Sequence, residues 1–419
     1  VADAFDVVVV GGGPVGACVA ALLAGASPRQ AAPLAVAILE PHRPDFPAAD
    51  AAIDLRVAAF SRASERILDA AGAWQGIAAA RVSPYERMCI WHESSAASAA
   101  AALRFDAAEA GEPNLGYIIE TRLVQAALLD AAVAAGVRIY ASEFLSLHTS
   151  AERVHIATAD AALSARLVIG ADGARSPLRA AAGLAATVSD YGQIAIVATV
   201  ATERPHEQTA WQRFLRTGTL AFLPLSDGTS SIVWSADEKL ARPLLGATAV
   251  EFASALDRAS DGVLGATRLA SERLSFPLHG LAAERYVTGR CALVGDAAHV
   301  VHPLAGQGVN LGLLDAATLA ELILGACAEG EDPGALRVLR RYERWRKSET
   351  EVMRVAIDAF DRLLAHGTGP LAQIAQRGLG WVNQSSELKR FFMARALGLS
   401  GELPLAARAA QSDRSSQHR

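Results

Sequence analysis

Residues 7–16 read Val7-Val8-Val9-Val10-Gly11-Gly12-Gly13-Pro14-Val15-Gly16. Four β-branched residues in an unbroken run fit a central parallel strand, covered on both faces. Gly11-x-Gly13-x-x-Gly16 follows the strand, and a helical pattern over 17–24 follows the glycines, the setting that gives this motif meaning. The first glycine permits the tight turn, the second lets backbone approach a pyrophosphate, and the third lets the helix pack on the strand. The helix N-terminus then offers free N–H groups and a positive dipole end to phosphate. A second strand is expected over 34–39. It ends at Glu40, whose carboxylate is placed to accept hydrogen bonds from an adenosine ribose and to repel a 2′-phosphate. The nucleotide held at this turn is therefore expected to be FAD or NAD rather than NADP.

The remaining composition narrows the class. A chain of 419 residues corresponds to two or three domains at ~150 residues each. With 52% hydrophobic and 20% charged residues it is not an extended disordered chain. A net charge of −5 argues against a nucleic-acid protein. Cys18, Cys89, Cys291 and Cys327 are scattered and form no C-x-x-C pair, which reads as buried reduced thiols in a cytoplasmic protein. Residues 5–23 are apolar, but Asp6 and the glycine–proline break interrupt them, so neither a membrane span nor a targeting segment is expected. The mean hydropathy of +0.23 comes largely from alanine-rich helices.

Helices are expected over 61–71 and 121–135, and a strand over 166–170 leading into Ala171-Asp172-Gly173. Short β-rich runs at 194–200, 219–224 and 230–235, parted by turn residues, read as a separate antiparallel sheet. A strand over 291–295 then runs into Gly295-Asp296-Ala297-Ala298-His299 and His302-Pro303-Leu304-Ala305-Gly306-Gln307-Gly308-Val309-Asn310. A helix over 308–328 follows, then helical sequence from 335 to about 400 and a frayed polar tail. In this block an acid at a strand end suits ribityl hydroxyls, and glycines leave room for a flat ring. The helix N-terminus points its dipole at N1 and O2, where a reduced flavin gathers charge.

These blocks together resemble the class A flavoprotein monooxygenases, the family of para-hydroxybenzoate hydroxylase. Within it the resemblance is closest to ubiquinone-biosynthesis hydroxylases of the UbiH/UbiF/VisC/COQ6 type. Asp54-x-Arg56-x-x-Ala59-Phe60-Ser61-x-x-Ser64, Glu120-Thr121-Arg122-Leu123, Ala210-x-Gln212-x-Phe214, Gly218-x-Leu220-Ala221-x-Leu223-Pro224-Leu225 and Arg341-Tyr342-Glu343-x-x-Arg346 carry it over nearly the whole chain. Phe60 stands where leucine is common.

The resemblance implies an α/β fold. A discontinuous Rossmann-like FAD-binding domain would comprise 1–77, 114–185 and 276–345. An antiparallel β-sheet substrate domain would be inserted at 78–113 and 186–275, and 346–419 would form C-terminal helices and a tail. It implies resident FAD and visiting NAD(P)H without a second Rossmann domain. Gly11, Gly13, Gly16, Glu40, Arg56, Arg122, Asp172, Gly295, Asp296, Gly306, Gly308, Val309 and Asn310 are the expected cofactor contacts. Asp172 would order the turn near the pyrophosphate, and the two arginines would meet phosphate or the flavin edge. The implied reaction hydroxylates the ring of a polyprenylated phenol of the ubiquinone pathway with O₂, through a flavin C4a-hydroperoxide that must be kept from water.

The Pro303 backbone carbonyl is expected beside the substrate hydroxyl. His302 and His299 are expected near the ring, with His302 as a proton relay or a structural histidine; their spacing makes a poor metal site, and no metal is expected. Phe214, Phe222, Pro224 and Trp234 are candidates for the apolar substrate wall, provided they lie on the sheet face toward the flavin. The basic run 337–347 reads either as a solvated helix face or as a surface for anionic lipid. Phe391-Phe392-Met393 and residues 397–405 read as packing or as an apolar patch. A peripheral contact at the inner face of the membrane, a biosynthetic complex and a homo-oligomer follow as partner expectations, and nucleic acid does not. A hydroxylase of a small soluble phenol, a flavin-dependent reductase and a non-catalytic scaffold remain as alternatives.

Overall fold

Strand β1 (Asp3–Val10) pairs in parallel with β2 (Val36–Leu39) on one side and with the strand Ala162–Gly170 on the other. The structure is a computed structural model that describes residues 3–26, 33–48, 50–100, 102–302, 306–360, 389, 397–399 and 401–408. The unbroken valine run follows from this central position. Val7 and Val9 enter a core shared with helices on one face, and Val8 and Val10 enter a second core on the other. Cys291–Leu293 and Arg138–Tyr140 extend the sheet in parallel, and the strands Phe144–Thr149 and Val154–Thr158 add an antiparallel hairpin. Helix α1 (Pro14–Ala24) begins three residues before the expected 17, because Pro14 suits the first helical position.

The fold is α/β, with a Rossmann-like layer and a second sheet of nine strands. That second sheet is antiparallel except where Thr209–Leu215 runs parallel to Arg87–His92, a strand from an earlier segment. Two helices not anticipated from sequence, Glu238–Gly246 and Ala249–Ser260, bury the outer face of this sheet. The strand Leu274–Ala283 pairs with Ala186–Thr202, and His299–Val300 pairs with it in turn. The second sheet therefore runs past the expected boundary at 276. A three-stranded sheet joins β3 (Val57–Ser61), Ser83–Tyr85 and Gly116–Glu120 between the layers. Helix α2 (Arg62–Ala70) follows β3, its first turn capped by Ser61.

The helix Gln307–Ala328 packs between α1 and the long helix Leu336–Phe360. Among the described residues it is the one helix long and apolar enough to cross a membrane, but 67% of its most apolar stretch is buried in protein. It is a core helix. Cys18 and Cys291 are buried and free, and burial pushes both thiols up to about 12. Cys89 is also buried, while Cys327 is only half-buried.

Asp315, midway along that core helix, is fully buried. Its Oδ2 accepts from the Gly295 N–H at 3.1 Å and lies 2.5 Å from His299 Nε2, while its Oδ1 accepts from Arg346 Nε at 2.8 Å. Tyr342 donates to the Leu293 carbonyl at 2.8 Å. The basic run over 337–347 thus splits. Arg340, Arg341 and Arg344 face solvent and Arg337 pairs with Glu331, whereas Arg346 is a core residue. Phe391, Phe392 and Met393 lie outside the described residues, and Leu397 is buried against Phe214, Val301 and Leu311.

Burial alone would raise the Asp315 carboxyl, but His299 and Arg346 outweigh it and hold it below the usual carboxylate range. A depressed carboxyl stabilises the fold above its ordinary pKa of ~3.9 and loses that contribution as pH falls through its lowered folded-state value. Asp315→Asn should cost about 3 kcal/mol or more, because it leaves Arg346 buried without its counter-charge. It should also flatten the acid limb of stability against pH, as measured by denaturant melts from pH 3 to 7.

Candidate cofactor and substrate site

Two helix N-termini meet at one cleft. Helix α1 is capped by Gly13 and the helix Gln307–Ala328 by Gly306, with no side-chain cap and no acidic residue in either first turn. They are held side by side because Val15 packs where side chains on Gly295 or Gly312 would stand, at 3.2 and 2.6 Å. The first N–H groups of both helices thus lack internal acceptors.

The glycines divide the work as their surroundings dictate. Gly11 has φ +98°, and a Cβ there would overlap the Ala171 carbonyl; one at Gly16 would overlap the Gly11 carbonyl oxygen. Both are demanded by backbone packing. Gly13 and Gly308 would place a Cβ in open space, with nothing within 4 Å. The cleft is therefore open beside Gly13, where a pyrophosphate needs room and donors. Gly306, at φ +63°, sets the angle at which the second helix starts, and a Cβ there would stand 3.4 Å from the Ala59 backbone nitrogen.

The acids take structural partners as well. Glu40 accepts from the Gly12 N–H at 2.7 Å and from the His42 N–H at 3.0 Å, so it clamps the glycine turn to the end of β2. Gln125, which no motif marks, holds the same turn by donating to the Gly12 carbonyl at 3.0 Å. Asp172 accepts from the Leu178 N–H at 2.9 Å, and burial raises its carboxyl despite that bond. Asp296 follows Gly295 at an exposed position, and the protein packed around its carboxyl raises it against the opposing effect of His299. Arg56 and Arg122 are exposed at the starts of β3 and of the helix Thr121–Ala134. Among the described residues neither forms an ion pair.

Three expected site residues are taken up by the core. Asn310 accepts from the Ser61 N–H at 3.0 Å and the Ser64 hydroxyl at 2.7 Å, and donates to the Ala59 carbonyl at 2.9 Å. Its side chain bolts the helix start to β3 and α2 rather than facing a ligand. His299 is 2% exposed and bound to Asp315, so it braces the Gly295–Asp296 turn instead of facing the cleft. His302 is buried, with Nε2 2.8 Å from Gln193 Oε1 and its ring edge-on to Tyr191 at 4.9 Å. Val309 is half-buried in the first turn of its helix. Pro303 lies outside the described residues.

Beyond Gly306 and Gln307 opens a cavity of about 480 Å³. Residues 55–59 form one wall with Ile118 and Thr121. The inner face of the nine-stranded sheet forms the other, through Val197, Ala210, Ala221, Leu223, Val233 and Leu274. The apolar wall assigned to Phe222 and Trp234 is corrected here. Both point to the opposite face, into the core under the two outer helices. Pro224 shares their parity and does not line the cavity. Phe214 faces inward but is packed against Val301 and Leu311. Tyr85 also lines the cavity, and burial pushes its phenol up to about 12, so it stays protonated.

These surroundings separate two glycine substitutions. Gly13→Val should leave the far-ultraviolet circular dichroism unchanged and yield colourless protein, since φ is −60° there and the added side chain fills only the cleft. Gly16→Val should fail to fold, since it collides with backbone. Yellow Gly13→Val protein would show that the cleft does not hold the cofactor.

The FAD binding domain family matches residues 4–354. The chain is 37% identical over 396 residues to the ubiquinone hydroxylase UbiL of Rhodospirillum rubrum, covering 94% of this chain and 89% of that one. It is 34% identical to the 3-demethoxyubiquinol 3-hydroxylase of Escherichia coli, covering 94% and 98%. It is 33% identical to the mitochondrial ubiquinone biosynthesis monooxygenase COQ6 of Danio rerio, covering 94% and 90%. The fold is shared with p-nitrophenol 4-monooxygenase PnpA from Pseudomonas putida DLL-E4, at TM-score 0.74 and 20% identity over 96% and 99% of the two chains. Two uncapped helix ends, an open glycine turn and an acid at the second strand fit FAD, and the chain belongs to the FAD-binding family, among the ubiquinone-biosynthesis hydroxylases.

Proposed function

We propose that this protein hydroxylates the aromatic ring of a polyprenylated phenol in ubiquinone biosynthesis, using FAD, NAD(P)H and O₂. The observation that carries the reading is the cavity beside Gly306 and Gln307. It opens directly from the helix end suited to a flavin ring, and its lining is mostly aliphatic. A volume of about 480 Å³ lies within the usual range for ligand sites, ~300–1,000 Å³. A small phenol bearing a carboxylate would call for a buried cation. Arg56 is the one guanidinium among the described lining residues, and it sits at an exposed position. The aliphatic lining favours the prenylated substrate.

In this reading Gly11, Gly13, Gly16 and Glu40 hold the adenosine and pyrophosphate end, and Asp296 with the N-terminal turn at 306–309 holds the ribityl and ring end. FAD held there and reduced by NAD(P)H would supply the electrons that activate O₂, one atom of which would enter the ring while the other leaves as water. The chain's own part is to keep water out and to place the phenol. The apolar wall serves the first need. His302, buried against Gln193 and Tyr191, has no place in the cavity lining and instead holds the 299–302 segment against the strand Ala186–Thr202. The division into FAD-binding and substrate parts belongs to the same reading, with the second sheet extended to Ala283. Arg340, Arg341 and Arg344 form an exposed basic stripe, to which we assign peripheral contact with anionic lipid.

Substrate-dependent O₂ uptake yielding a hydroxylated, prenylated product tests the reaction, and its absence with FAD-loaded protein would refute it. Ala221→Phe fills the cavity wall. It should raise KM for a farnesylated phenol about tenfold or more while flavin content stays at the wild-type level. The basic stripe predicts co-sedimentation with vesicles containing phosphatidylglycerol, lost in 0.5 M salt and in the Arg340→Glu/Arg344→Glu variant.

A further inference from the structure

The cavity is not uniformly apolar. Gln212, Thr219 and Ser235 line it while being 5%, 6% and 2% exposed. Among the described residues none of these three side chains makes a hydrogen bond to protein, and none of their polar atoms is among the buried ones left unsatisfied, so they stay accessible at the cavity surface. A buried amide brings two donors and an acceptor oxygen, and a hydroxyl brings one donor and two lone pairs. Such groups are almost always satisfied in folded proteins. What satisfies these three must enter the cavity: water in the free protein and polar atoms of a ligand in the complex.

The strand register puts the three together and at one end. Thr219 stands opposite Ser235, and Gln212 stands opposite Ala221, two residues along from Thr219. Diagonal neighbours on adjacent strands lie within reach of a long side chain. In the row of Thr219 and Ser235 stand Phe214, packed on Val301 and Leu311, and Ala195, two residues from the Gln193 that binds His302. The polar patch therefore lies at the end of the sheet nearest the 299–311 segment. Gln212's own row runs on through Ala221, Val233 and Val197, and the next row brings the apolar Leu223 and Ala210 to the cavity while its Ser231 and Thr199 stay outside the lining. Across the cavity, the Thr121 hydroxyl is already committed to the Arg56 carbonyl at 3.0 Å.

We infer that Gln212, assisted by Thr219 and Ser235, hydrogen-bonds the oxygen substituents of the substrate ring, seating the ring near the flavin end with its tail along the apolar strip. This inference rests on the cavity being the substrate site. It makes Gln212 a specificity-determining residue: the patch selects rings that bear oxygen and disfavours equally greasy rings that lack it, whose binding would strand the amide.

The test uses FAD-loaded protein and two probes of equal tail length, 2-farnesylphenol and farnesylbenzene, titrated by perturbation of the flavin absorbance. The wild-type protein should bind the phenol about tenfold more tightly than the hydrocarbon. Gln212→Leu, close in shape, should bring that ratio near one by weakening the phenol alone. Thr219→Val combined with Ser235→Ala should lower it partway, and this pair carries the test if Gln212→Leu does not fold. Should the wild type discriminate and both variants keep its ratio, the patch has no such role, although the cavity reading stands. Should the wild type bind neither probe, the cavity reading fails and takes this inference with it.

Discussion

A single buried carboxylate sets the frame on which the site depends. An unpaired charge at the position of Asp315 would not be tolerated, so its partners are obligatory. They come from two separate pieces of chain: the segment carrying the Gly295 N–H and His299, and the helix carrying Arg346. Satisfying one charge therefore fixes the turn after the strand Cys291–Leu293, the loop beyond it and the long helix Leu336–Phe360 against one another. The turn it fixes is the one that packs on Val15, and Val15 sits in the first turn of α1. The spacing between the two glycine-capped helix ends thus follows from an electrostatic requirement some residues away from the cleft.

The same constraint explains why His299, which sequence alone puts beside the flavin motif, is buried against Asp315. From sequence, a histidine three residues after Asp296 is adjacent to the flavin motif, and nothing local reveals its partner. Asp315 is 16 residues away along the chain and looks like an isolated acid in an apolar helix. An acid at such a position is itself a signal, because that helix buries Asp315 completely and must pair it. Read together with Arg346, which stood within a basic run taken for a surface, it would have led to the triad. Asn310 deceived in the same way: its side chain is consumed by β3 and α2, elements some 250 residues earlier in the chain.

The layer built around β1 was legible because its determinants are local. A valine run, glycines at fixed offsets and an acid at the next strand end each force one short-range geometry. The nine-stranded sheet was legible as strands but not as faces. Its alternation is clear, yet both faces are covered, one by the FAD-binding layer and one by the helices Glu238–Gly246 and Ala249–Ser260. With both faces apolar, parity alone does not say which is inward. Choosing the large aromatics Phe222 and Trp234 as the substrate wall reversed the physical logic. Phe222 and Trp234 fill the core under the outer helices, whereas small side chains at Ala210, Ala221 and Val233 leave room on the inner face beside Tyr85, Trp211 and Phe276.

This gives the two walls of the cleft different vocabularies. The cofactor side is built largely from backbone: N–H groups at helix ends, glycines without side chains, and acids whose first duty is to hold the turns. Few side chains can be exchanged there without disturbing the fold, as the overlap of Gly16 with the Gly11 carbonyl makes plain. The sheet side is built from side chains on a ladder whose own hydrogen bonds are already complete. A residue on its inner face changes the shape or polarity of the cavity and leaves both the ladder and the cofactor turns untouched. The shape and polarity of the cavity can therefore vary strand by strand while the glycine turns stay constant, because the constraints on the two walls act on different atoms.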